Sequence, residues 1–143
     1  MIRVSERWAI AWIRTTGAAP VSLVDQSGRV LEQLVEPPPN LPEVVGALAV
    51  GTAGRRLAPG PFSAIRAFPP EFRSRVRTLT FVGGVARVRL NGDPPEAGEV
   101  FFGPLVNTRA KAGVALAVLD SLRARGERVG VVDVGVANAP VTR

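Results

Sequence analysis

The feature that most limits what this 143-residue chain can become is the stretch at residues 107–143, which reads as one helix followed by one strand. Ala110, Val114, Val118 and Leu122 recur at spacings of four, with Arg109, Lys111, Asp120 and Arg123 between them. That period predicts an amphipathic helix over 108–125. Asn107 or Thr108 can cap its start with a side-chain oxygen. Arg123 and Arg125 suit the negative end of its dipole, and Gly126 can take the left-handed conformation that ends it. Residues 128–136 are then β-branched and bounded by Gly126 and by Ala137-Asn138-Ala139-Pro140, which predicts a strand. Val129 to Val136 has neither lysine nor proline, so this strand is expected to offer one side to a partner.

Ahead of that unit the punctuation is dense. Residues 1–14 alternate in part, with Trp8, Ile10 and Trp12 on one side, and predict a strand with an irregularity near Ser5-Glu6-Arg7. Residues 15–20 turn the chain. Val21 to Val24 and residues 29–36 read as the two arms of a hairpin closed by Asp25-Gln26-Ser27-Gly28, and Pro37-Pro38-Pro39 stops it. Leu41-Pro42-Glu43-Val44-Val45-Gly46 reads as an apolar docking loop, and residues 47–61 as loop without a period. A short helix is predicted over 62–68 with Phe62, Ile65 and Phe68 inward, then a single turn opened by Pro70. Strands at 76–82 and 85–90 flank a Gly83-Gly84 hairpin turn, and a short strand follows at 99–102. The fold class expected from this order is α+β: an antiparallel sheet partly covered by a long C-terminal amphipathic helix and a small helical patch.

Composition excludes much chemistry. The chain has no His and no Cys, so no Cys/His zinc site, thiol nucleophile or histidine-based triad can be assembled. No apolar run reaches the roughly 18 residues that cross a bilayer, and no secretory signal opens the chain, so a soluble polypeptide or a soluble piece of a longer one is expected. The net charge of +6 comes almost wholly from arginine, Lys111 being the one lysine. That charge is scattered, with its densest group at Arg73, Arg75 and Arg77, and only six Phe and two Trp are available for base stacking. Among the twelve carboxylates, Asp133 stands out because it interrupts a valine strand. The reading favoured for it is structural, through a hydrogen bond to backbone or to an arginine. Neither Gly51-Thr52-Ala53-Gly54-Arg55-Arg56 nor Gly83-Gly84 precedes a helix as a phosphate loop must. No catalytic residue, metal ligand or cofactor is nominated.

Several segments, in order, resemble the FtsQ/DivIB cell-division family. Glu6-Arg7-Trp8-Ala9-Ile10-Ala11-Trp12 is similar to the strand that closes that family's POTRA module. Val24 to Val30 is similar to the hairpin after it, and Leu41-Pro42 with Gly46 to the loop that follows. Asn107-Thr108-Arg109-Ala110-Lys111 looks like the segment before the family's last helix, and Val132-Asp133-Val134 with Ala139-Pro140-Val141 like its ending. The resemblance implies residues 1–16 as the final strand of a truncated POTRA module and 17–143 as the β domain. It also implies a membrane helix and most of that module ahead of Met1, so that the membrane is reached only through a segment absent here. The implied function is a non-enzymatic divisome scaffold, extracytoplasmic, binding FtsB and FtsL by adding a strand. No nucleic acid, small-molecule substrate or cofactor is implied. The partner-binding residues carried over are Val134, Gly135, Val136, Asn138, Val141, Thr142 and Arg143. Two alternatives stand beside it: another POTRA-linked envelope assembly or secretion module, and a basic nucleic-acid-binding domain.

Overall fold

The computed structural model describes residues 8–14, 21–46, 50–51, 56–57, 59–92, 95–136 and 138–143. The expected irregular strand start at Ser5-Glu6-Arg7, the turn at 15–20, residues 47–49, 52–55 and 58 of the loop expected over 47–61, and the Glu6-Arg7 part of the family motif lie outside them.

The strands are β1 (Ala9–Arg14), β2 (Val21–Asp25), β3 (Val30–Leu34), β4 (Glu43–Gly46), β5 (Val50–Gly51), β6 (Arg56–Leu57), β7 (Val76–Val82), β8 (Val85–Leu90), β9 (Ala97–Gly103), β10 (Val129–Asp133) and β11 (Val141–Thr142). The helices are α1 (Gly60–Ala67), α2 (Pro70–Arg73) and α3 (Thr108–Arg125). Nine strands form one sheet in the order β11-β10-β9-β8-β7-β4-β1-β2-β3, while β5 and β6 pair separately.

The fold is therefore mostly β, and the expected antiparallel α+β arrangement is corrected. The sheet is mixed, because β1 with β4, β4 with β7, and β9 with β10 run parallel. Each parallel pair needs a crossover. The β2–β3 hairpin supplies the first; β5, β6, α1 and α2 span the second; α3 spans the third. Three helices of 8, 4 and 18 residues lie against this sheet. The expected stripe on α3 is corrected at one member and widened: Ala110 is exposed, Leu122 is buried, and Val114 and Val118 pack half-buried against the core, while Lys111, Ala112, Ala115 and Leu119 are buried beside them. Asn107 precedes the helix in the left-handed region at φ 52 and makes no side-chain cap. At the other end Gly126, at φ 65, closes it: the Glu127 N–H reaches the Leu122 carbonyl at 2.9 Å.

The helix-side core joins α1, α2 and α3 to the sheet. Phe62, Ile65, Phe68 and Phe72 are fully buried there with Leu79, Val88, Val100, Phe102 and Leu119. Phe68, Phe72 and Phe102 form an aromatic trio at centroid separations of 4.9, 5.4 and 5.7 Å. Each such pair adds about 0.5–1.5 kcal/mol beyond its area. Arg73 clamps this patch by donating to the carbonyls of Ile65, Arg66 and Phe68 at the end of α1.

The docking loop expected at 41–46 is instead the interior strand β4, between β1 and β7. Gly46 makes that position workable. At φ +133 it faces β7, where an added Cβ would lie 2.1 Å from the Phe81 carbonyl oxygen. On the opposite face Trp12 and Val21 are buried without joining the helix-side core. The Trp12 indole donates to the Leu41 carbonyl at 3.0 Å, so the segment after the triple proline lies over this part of the sheet.

Candidate partner-binding edge

The two edges of the large sheet differ in how they are protected. At one edge, β3 carries exposed Glu32 and Gln33 and runs into Glu36 and the triple proline. Charge and proline of this kind block further strand addition. At the other edge lies β11, only two residues long.

The strand expected to present itself, β10, is interior. Val129, Val131, Val132 and Asp133 pair with β9 on one side, and Val132 and Asp133 pair with β11 on the other. The open edge thus belongs to β11. Arg143 and Val131 exchange both of their backbone bonds, at 2.9 and 3.0 Å. Antiparallel pairing alternates bonded and non-bonded residues. Thr142 therefore turns its N–H and C=O away from β10, toward the open side.

The connection from β10 to β11 is folded by Asp133. One carboxylate oxygen accepts the Gly135 N–H at 2.9 Å, and the other accepts the Arg143 guanidinium at 3.3 Å. Both partners of the favoured structural reading, backbone and arginine, are present. The Val134 N–H donates to the Phe101 carbonyl at 2.9 Å, and the Ala139 N–H returns to the Val136 carbonyl at 3.0 Å. Gly135 lies beside the Phe101 ring, where an added Cβ would meet that ring at 3.7 Å and the Asp133 carboxylate at 3.2 Å.

The seven residues carried over from the family resemblance separate into three groups. Val141, Thr142 and Arg143 form the free edge and are exposed. Val136, 62% exposed, and Asn138 lie on the connection leading to it. Val134 is fully buried and Gly135 is packed against Phe101, so these two support the connection from beneath.

Two supporting groups carried no signal in the sequence reading. Lys111 sits in sequence among the polar residues between the members of the helix stripe, yet it is 2% exposed. Its ammonium donates to the carbonyls of Phe102 at 2.9 Å and Pro104 at 3.0 Å, tying the first turn of α3 to the end of β9. Burial lowers its pKa, and nearby Asp133 acts in the opposite direction. Its being the one lysine of an arginine-rich chain is the only hint the sequence offers. Phe101 is the second group: Arg87 stacks over its ring at 5.0 Å and reaches Glu99 at 2.8 Å.

Among the described residues no group of three or more His, Cys, Asp or Glu is placed to hold a metal ion. Nor, among them, is any helix long and apolar enough to cross a membrane. What the edge can do chemically is form backbone hydrogen bonds and cover valines. No family model matches the chain, and no curated protein matches it.

Proposed function

We propose that this chain is a non-enzymatic scaffold domain of the FtsQ/DivIB kind, acting at the outer face of the cell membrane in bacterial division. On this reading it takes up a strand from a partner of the FtsB or FtsL type along β11. The observation that carries the reading is the outward-facing N–H and C=O of Thr142 at the outer edge of the sheet. The ordered sequence resemblance supports the choice of partner.

The edge is short, and its length sets how the partner must bind. Pro140 has no N–H, so Thr142 offers the main pair of backbone bonds. Two such bonds contribute about 1–3 kcal/mol net. Micromolar affinity needs about 8 kcal/mol. Apolar contact must supply the difference. Val136 at 62% and Val141 at 50% exposure are the apolar side chains beside the edge.

Calorimetry with a synthetic peptide covering the extracytoplasmic part of FtsB from the same genome tests this directly. Saturable binding that is lost in Thr142→Pro is expected. Absence of any heat with the parent chain would overturn the proposal.

A further inference from the structure

Away from the β11 edge, the open face of the sheet contains a cleft with its own chemistry. The pairing of β8 with β9 runs from Ala86↔Gly103 to Val88↔Val100. Past that point, residues on the two strands line opposite parts of a cavity of about 510 Å³: Arg89 and Leu90 on one side and Gly98 on the other, with Gly92 and Pro95 between them. Arg77, Thr78 and Glu43 complete the lining. This volume falls within the range of small-molecule sites.

The two arginines distinguish this cavity. Arg75, Arg87, Arg123, Arg125 and Arg143 each pair with a carboxylate, and Arg73 is spent on carbonyls. Arg77 and Arg89 are exposed and have no ion pair among the described residues. They are also neighbours. Arg89 pairs with Thr78, and the register slips between Val76 and Thr78, so that Arg77 is the extra residue of a β-bulge beside it. Bulges re-aim side chains, and like charges across adjacent strands repel. Two guanidiniums thus line one cavity, where an anion would meet both positive charges.

We propose that this cleft binds an oxyanion, a carboxylate or a phosphate, with Arg77 and Arg89 as its ligands and the Thr78 hydroxyl as a further donor. Planar guanidiniums suit such groups because they can donate two parallel hydrogen bonds. Glu43 stands two strands from Arg89, opposite Thr78, and places a negative group at the far side of the lining. That limits the ligand to one oxyanion on a remainder that is neutral or cationic. The site is independent of the β11 edge and does not rest on the partner reading.

Amide and guanidinium NMR shifts of the full chain test the site at constant ionic strength. The probes are sodium phosphate, sodium acetate, and vesicles containing phosphatidylglycerol in a zwitterionic background. Saturable shifts at Arg77, Thr78 and Arg89 are expected, weakened about ten-fold or more in Arg89→Gln and lost in Arg77→Gln with Arg89→Gln, at unchanged melting temperature. Response to free phosphate or acetate assigns the ligand to a soluble molecule. Response to vesicles alone, lost in the double variant, assigns it to a lipid headgroup. Either supports the site. No shift with any probe overturns it, as do shifts shared equally by Arg109 and Arg128, which are exposed arginines elsewhere.

Discussion

At the scale of single residues, Gly46 and Lys111 bear weights that their chemistry defines. An alanine at 46 would need both a disfavoured φ of +133 and a methyl 2.1 Å from the Phe81 carbonyl, so β4 could not keep its place beside β7. Gly46→Ala is expected to cost at least about 3 kcal/mol, read from urea unfolding. Lys111 controls how stability varies with pH. Its folded pKa lies below the ordinary 10.5, so between those values the unfolded chain binds more protons and stability rises with pH. The chain has no His, Cys or Tyr, leaving Lys111 as the one side chain expected to titrate in that window. The parent's urea midpoint should climb there, whereas Lys111→Met should give a flat profile. The same variant strands the carbonyls of Phe102 and Pro104, with an expected loss of about 2–3 kcal/mol at neutral pH. A flat parent profile would mean that the ammonium is not perturbed as its burial implies. Nothing in a period-of-four reading could find this lysine, because a polar residue between apolar ones scores as surface wherever the helix is rolled.

At the scale of elements, legibility followed length and side-chain size. The inward set of Phe62, Ile65 and Phe68 could be read because large apolar residues recur there at helical spacing and are buried as expected. On α3 the stripe was legible at Val114, Val118 and Leu122 but not at Ala112, Ala115 and Leu119, because apolar residues, mainly alanine and valine, are spread around the axis and the packing of neighbours selects among them. The strand β4 was hidden between Pro42 and Gly46, which mark a loop unless a partner strand lies on each side. For β10, the concealed fact was its neighbour: two residues after Pro140 carry no period, yet they cover the side expected to be open. The test moves accordingly. Thr142→Pro removes an N–H that faces away from β10, so its effect on the melting temperature should be small while strand uptake is lost. Val131→Pro removes the donor to Arg143 inside the sheet and is expected to cost about 3 kcal/mol or more, by thermal unfolding. Equal destabilisation by the two would show that the edge is not where the register puts it.

At the scale of the whole molecule, the strand order is two antiparallel meanders joined through β4. One holds β1, β2 and β3; the other runs from β7 to β11, interrupted only by the parallel return of β10. Periodicity recovers the local pairings within each meander but not the parallel ones, since a crossover leaves no mark at either strand. The join is narrow on the β1 side. Among the described residues its register is the single pair Trp12↔Glu43, reinforced by the Trp12 N–H on the Pro42 carbonyl at 3.0 Å and the indole on Leu41. On the other side β4 pairs with β7 at four successive residues. Under a pulling force or in rising denaturant, a sheet gives way first where the fewest bonds share the load, and here that is the line between Trp12 and β4. Trp12 is buried on that line, whereas Trp8 is exposed, so a Trp8→Phe chain carries its own gauge of the fracture. Its fluorescence is expected to change at lower urea than its circular dichroism; coincident curves would mean that the two meanders part from each other only when both unravel.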